Sequence, residues 1–287
     1  STNCSGAVMQ VISCLCHPLT TWDRRQAVLT EQQKHEFETF GFLLLKDFIP
    51  SDEMQPFIEA FDETMTTANG GVPWQRADGN HYVIPFYRHN PAVYHRLLDD
   101  EKINEVVEDL LGEDFVFHVA AGHRRWGGTG WHHDSLAPED LTHLKVVFYL
   151  QPVRAGTGCL RVLPGTHLPP LRERMERWYE LHGATVASVA KESDTIAWPA
   201  AIALESDPGD AVIFNIKIYH GAIGDSADRR AIYINYIQKP RTPEHEEYIM
   251  SMHPDDNPLY TAELFEDATP RRMRMLSFLK DTRYDLR

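Results

Sequence analysis

Four cysteines in 287 residues, Cys4, Cys14, Cys16 and Cys159, make neither a CxxC pair nor an evenly spaced framework. A disulfide-stapled or zinc-ribbon fold is therefore excluded. Cys14-Leu15-Cys16-His17 lacks a second thiol pair and reads as reduced thiols. No apolar run approaches the roughly 20 residues that a membrane-spanning helix needs. The mildly apolar stretch 8–16 has no basic region before it and contains Gln10, which does not fit a signal peptide. A cytoplasmic, reducing setting is expected. Positive charge is scarce as well: 28 Lys and Arg stand against 42 Asp and Glu, a formal net charge of -14. That balance argues against a nucleic-acid partner, which requires a basic face, while leaving room for a local basic pocket. Repeats, low-complexity tracts and linkers are also lacking. Residues 30–287 thus read as a single domain, long enough for a full core, behind a lead-in of residues 1–29 without periodicity.

The ordered chain is expected to begin at Thr30, an N-cap for a helix over 31–40 with Gln33 at the capping-box position. Gly41 suits its stop, and 42–45 reads as a short buried strand. Ser51 is expected to cap a second helix whose Met54, Phe57, Ile58 and Phe61 follow helical spacing. Residues 69–90 read as an aromatic, basic loop, and 91–111 as one helical region ending at Gly112. From Asp114 the pattern changes to short β-type runs at 115–121, 144–150, 159–163, 201–204, 211–219 and 230–237, punctuated by turn signals. Between them, 168–184 reads as helix and 185–200 as loop; beyond 239 the pattern is polar and weak. Helices first and short strands afterwards predict an α+β chain with a strand-built barrel or double sheet, whose binding site lies in its mouth.

The chemistry concentrates in Trp131-His132-His133-Asp134. In an extended chain, side chains at i and i+2 leave the same face. His132 and Asp134 can therefore reach one metal together while His133 points away. His220, in the strand-like Tyr219-His220-Gly221, would complete two imidazoles and one carboxylate. Such a facial triad is that of non-haem Fe(II) oxygenases, and it leaves half the coordination sphere for co-substrate and O2. His-x-Asp alone is weak evidence in a chain with 15 histidines. Arg229 and Arg230 open the next strand, where an arginine could pair bidentately with the far carboxylate of a metal-chelating dicarboxylate. A plain surface arginine pair is the alternative.

Four passages together resemble the phytanoyl-CoA dioxygenase family of Fe(II)/2-oxoglutarate oxygenases. They are 29–49 with Gly41-Phe42 and Phe48-Ile49; the Trp-His-x-Asp at 131–134; Gly158-Cys-Leu-Arg-Val-Leu-Pro-Gly-Thr-His167; and Pro208-Gly209-Asp210 with His220-Gly221 and Arg229-Arg230-Ala231. The third is the most specific. The resemblance implies a double-stranded β-helix (a jelly roll, or cupin-like barrel) buttressed by N-terminal helices. It places the iron ligands on His132, Asp134 and His220 and the 2-oxoglutarate arginine on Arg229. His118 falls where the family has a glutamine near the keto-acid end. Two departures stand out: the loop from His220 to the arginines is short, which keeps Arg230 in play, and Ala222 replaces a serine that often assists the distal carboxylate.

The implied reaction consumes O2 and 2-oxoglutarate, yields succinate and CO2, and hydroxylates a C–H bond, with ascorbate supportive. Asp134, being a carboxylate rather than a small residue, argues against halogenation. Desaturation, cyclisation and a non-catalytic metabolite-binding protein are the other readings. Residues 71–88, with Trp74, Arg76, Tyr82 and Phe86, would cover the mouth, as that region does in resembling proteins. Trp74, Arg76 and Tyr82, with His133 and the loop around Trp198, are the substrate-side candidates. No basic run suits a CoA diphosphate, so a free small metabolite, such as an alkaloid- or toxin-type natural-product intermediate, is expected.

Overall fold

In the computed structural model, residues 28–75, 79–134, 137–181, 200–224, 228–253 and 259–282 are described. Arg76, Trp198 and residues 1–27 lie outside them. The chain opens as its caps dictate. The Thr30 side chain accepts from the Gln33 N–H while Gln33 reaches back to the Thr30 N–H, starting helix α1 (Glu31–Phe40). Gly41, at φ 84°, ends it in the left-handed conformation that glycine adopts without strain. A Cβ there would also strike the His167 ring. Leu29, expected in the lead-in, is 2% exposed, and its N–H donates to Asp109.

Strand β1 (Phe42–Leu45) follows, then α2 (Ser51–Ala68). Pro50 rather than Ser51 takes the N-cap position of α2, with no side-chain cap bond. The expected 91–111 helix is two, α3 (Pro91–Asp99) and α4 (Glu101–Leu111), because the Asp100 side chain accepts from the Ile103 N–H and starts a new helix. The aromatic loop contains a short strand, β2 (His81–Val83). The remaining strands are β3 (Val116–Arg125), β4 (Thr129–His132), β5 (His143–Tyr149), β6 (Thr157–Val162), β7 (Ile202–Leu204), β8 (Ala211–Asn215), β9 (His220–Gly224) and β10 (Arg229–Ile237). Helix α5 (Pro169–Leu181) separates β6 from β7. The weakly patterned C-terminal part forms α6 (Pro243–Ser251) and α7 (Pro270–Thr282).

Among the described residues all pairings are antiparallel, in one six-stranded sheet ordered β1-β8-β5-β10-β3-β2 and one four-stranded sheet ordered β4-β9-β6-β7. The architecture is the expected jelly roll buttressed by helices, with two separate sheets in place of a closed barrel. Strand alternation sorts the larger sheet's side chains between two cores. Leu144, Val146, Phe148, Ile213, Ile232 and Ile234 join the helical residues Met54, Phe57, Phe61, Leu97 and Leu276 on one side. Val147, Tyr149, Val212, Phe214 and Ala231 face Cys159, Leu160, Val162 and Leu204 of the smaller sheet on the other. The polar exceptions on that inner face make the site. Among the described residues, no helix is long and apolar enough to cross a membrane.

Candidate active site

His132 ends β4 and His220 begins β9, and the two are register partners across that strand pair. Each ring is fixed by the carbonyl two residues before it: Nδ1 of His132 meets the Gly130 carbonyl at 2.8 Å, and Nδ1 of His220 meets that of Ile218 at 2.9 Å. A ring whose Nδ1–H donates to a carbonyl presents its Nε2 lone pair. Both Nε2 atoms face Asp134, at 3.6 Å from Oδ1 and 3.5 Å from Oδ2. The Asp134 N–H donates to the Ile216 carbonyl at 3.0 Å, which ties this residue to the end of β8. Three ligand-type atoms thus lie within 4.8 Å of one another and could hold a metal ion.

The electrostatics suit a cation. Burial pushes His220 down to about 3 despite the opposing pull of Asp134, so its imidazole is neutral, the form that ligates. Burial works against ionisation of Asp134. Lys145, with His220 and His132, nevertheless holds its carboxyl well below the usual range. Lys145 Nζ donates to Asp134 Oδ2 at 2.8 Å. The Gly158–His167 motif explains itself here. Thr166 Oγ1 accepts the Tyr219 N–H at 2.9 Å, and the Tyr219 carbonyl accepts from Leu163 N–H, also at 2.9 Å. His167 meets the Glu38 carbonyl at 3.1 Å. The turn therefore clamps the residue before His220 on both sides.

An open cavity surrounds the triad, and Arg229 lines it while only 4% exposed. Its Nη1 donates to the Gly158 carbonyl at 2.6 Å. Arg230, one residue out of phase, turns outward to Asp62 at 3.2 Å. His133 is likewise out of phase and packs edge-on to Tyr219 at 5.3 Å, outside the cavity lining. Tyr82 is a rim neighbour: its ring lies edge-on to His123 and 4.8 Å beneath the Arg125 guanidinium, both of which line the cavity.

Four expectations need correction. His133, expected on the substrate side, packs on Tyr219 instead, and Phe86, expected over the mouth, is fully buried against Phe61 and Tyr94. His118 is not at the cavity. The register passes from Val119 opposite Asn235 to Phe117 opposite Tyr236, so His118 is the extra residue of a bulge. It packs against His143 and, at 2.7 Å between ring nitrogens, His253. Trp74 lies against Trp126, His81 and the Arg124 guanidinium instead of covering the mouth. His81 and Arg124 pair across β2 and β3 and alternate with Tyr82 and His123, so Trp74 packs on the opposite face. Sequence reasoning missed Lys145, Tyr149 and Tyr233, and did not decide which of Arg124 and Arg125 faces inward. A lysine inside the apolar run 143–149 was a signal for the first. The i, i+2 pair His123 and Arg125 was a signal for the last.

Two antiparallel jelly-roll sheets around two histidines and a carboxylate define the class of Fe(II)/2-oxoglutarate-dependent oxygenases. Within it, the chain belongs to the phytanoyl-CoA dioxygenase (PhyH) family, which it matches over residues 37–232. It is 25% identical over 224 residues to 2-aminoethylphosphonate dioxygenase of the uncultured bacterium HF130_AEPn_1, covering 72% of this chain and 81% of that protein. Among solved structures it is similar to HygX of Streptomyces hygroscopicus with nickel and 2-oxoglutarate bound, at 21% identity and TM-score 0.56, covering 75% of this chain and 89% of that one. A second is the carbocyclase SnoK from nogalamycin biosynthesis, at 19% identity and TM-score 0.59, covering 82% and 95%. The structural likenesses show the fold, and the family shows an enzyme working with iron, 2-oxoglutarate and O2.

Proposed function

We propose that this chain hydroxylates a C–H bond of a small free metabolite of natural-product type. His132, Asp134 and His220 would hold Fe(II), and Arg229 would anchor the distal carboxylate of 2-oxoglutarate. The observation that carries this reading is the convergence of two fixed Nε2 atoms, an ionised carboxylate and a buried arginine on one cavity. The donor set fits the metal: neutral imidazole and carboxylate suit iron and leave positions open. When bound, the metal and co-substrate supply the oxidation, 2-oxoglutarate leaving as succinate and CO2 while one oxygen atom passes to the substrate.

The protein's own part is placement. The backbone carbonyls of Gly130 and Ile218 keep the His132 and His220 protons on Nδ1, away from the metal side. Lys145 holds the Asp134 carboxylate ionised and oriented. Arg229, fixed at Gly158, presents the remaining donors of its fork to a carboxylate. Leu160, Phe214 and Ala222 give the cavity apolar walls.

The test is succinate release by the full chain with Fe(II), ascorbate and 2-oxoglutarate, screened against small metabolites, with product mass read alongside. Gain of one oxygen atom supports hydroxylation. A product short of two hydrogens, or a ring-closed one, would move the assignment to desaturation or cyclisation. Absence of Fe(II)-dependent 2-oxoglutarate turnover with any metabolite would sink the reading.

A further inference from the structure

The cavity is cationic in an acidic protein. Its described lining holds three cationic side chains, Arg125, Lys145 and Arg229, and one carboxylate, Asp134. Lys145 is engaged with Asp134 at 2.8 Å. Arg229 lies deep, 4% exposed, and is taken up by the co-substrate in the functional reading on which this inference rests. Arg125 differs in place. It closes β3 directly opposite Arg229 of β10, the two being register partners, and both line the cavity. Like charges facing each other across a strand pair repel, and an anion between them relieves that repulsion. Arg125 is half-buried, and its guanidinium lies 4.8 Å over the ring of Tyr82, a residue 40% exposed. That stacking holds the fork at the rim, above the triad's cavity.

We infer that Arg125, backed by Tyr82, is the substrate-recognition site for an anionic group, so that the substrate is a small metabolite carrying a carboxylate, phosphonate or phosphate. Arg125 does not have to be without other partners for this role. A guanidinium has five donors in a fork and can keep one neighbour on one edge while the other edge takes an oxyanion. A rim cation in a cleft with low-dielectric walls also draws anions inward against the overall negative charge. Anchored there, a compact substrate lies between Tyr82 and the triad, in the same cavity as the co-substrate.

The experiment uses the full chain loaded with Ni(II) and 2-oxoglutarate, a redox-inert stand-in for the iron complex. Methylphosphonate, acetate and phosphate are titrated in by calorimetry, with neutral acetamide as control. Anions are expected to bind and acetamide not, and the order among the three identifies the oxyanion geometry preferred. Arg125→Gln should weaken the tightest anion by about tenfold or more, the size expected for losing one half-exposed charged contact. Arg125→Lys should recover part of the loss. In both variants Ni(II) and 2-oxoglutarate binding should stay within about twofold of the parent, which also reports that the fold is intact. Arg124→Gln, which faces Asp228 outside the cavity, should leave anion binding unchanged. Anion affinity unaltered by Arg125→Gln overturns the inference, as does equal binding of acetamide. Loss of 2-oxoglutarate affinity as large as in Arg229→Gln would also overturn it, by assigning Arg125 to the co-substrate. Failure of the parent protein to bind Ni(II) or 2-oxoglutarate would instead count against the functional reading itself.

Discussion

At the residue scale, the neighbour of each proposed ligand is its own control. His132 and His133 are adjacent, yet only His132 aims at Asp134, while His133 packs on Tyr219. His132→Ala, Asp134→Ala or His220→Ala should each cut Fe(II) affinity by well over the roughly 10–100-fold that loss of a mere outer hydrogen bond costs. His133→Ala should keep the metal, as read by Co(II) absorption or calorimetric titration. Equal loss in His133→Ala would discard the strand-phase reasoning. The arginine pair gives a parallel contrast. Arg229→Lys keeps the charge but loses the fork, and should weaken 2-oxoglutarate by about 2 kcal/mol or more with metal binding intact. Arg230→Lys should be silent, since Arg230 faces Asp62 at the surface; the reverse pattern would shift the anchor by one residue. For the arginines the sequence left Arg229 and Arg230 both in play; the histidine contrast was legible because strand phase is a two-residue rule. His118 was not, because a bulge breaks that rule and no residue type at 117–119 announces it.

At the element scale, the site depends on how closely β4 and β9 approach. Gly221 lies between His220 and Ala222 on β9, and a Cβ there would come within 2.9 Å of the Thr129 carbonyl oxygen and 3.1 Å of that of Gly130. Those are backbone atoms of the neighbouring strand, so they yield only if the strand moves. Gly221→Ala should cost about 1–3 kcal/mol in urea unfolding. It should also weaken metal binding, because parting the strands separates His132 from His220. Gly156→Ala, where a Cβ meets nothing within 4 Å, should change neither. A Gly221→Ala protein with parental stability and metal affinity would mean that the strand spacing does not set the site. Elements with a local signal were readable: the Thr30–Gln33 capping box, the apolar runs of β5, β8 and β10, and the Pro-Gly turn. Those set by tertiary contacts were not. Strand β2 exists because it pairs with the edge of β3, and α7 because its Met275, Leu276 and Leu279 find a core made by distant residues.

At the scale of the whole molecule, the buried histidines should make stability depend on pH in a window where few other groups titrate. His118, His143 and His253 form one packed group joining the larger sheet to the segment after α6, and His143 Nδ1 lies 2.9 Å from the Tyr248 hydroxyl. His143 is 1% exposed, and burial, aided by Lys145, pushes it down to about 3. His118 is held well below its ordinary value by burial first and by His143 and His253 next. In the unfolded chain such histidines protonate at about 6.5. The unfolded state therefore binds more protons below that pH, and folding free energy falls as pH falls. The contribution is complete above about pH 6.5 and is lost progressively toward about pH 3, at no more than about 1.4 kcal/mol per pH unit for each histidine. Asp210 titrates later. Burial works against its charge, but N–H bonds from Asp207 and Asp47 and the Lys46 ammonium lower its pKa. Its contribution is present above the unfolded carboxylate value near 4 and disappears only below it. Urea unfolding of the chelator-treated protein should thus lose stability between pH 6.5 and 5, before carboxylates respond. His143→Gln should flatten that slope by up to about 2 kcal/mol over the window. A flat profile from pH 6.5 to 5 would show that these imidazoles are not held neutral by the fold.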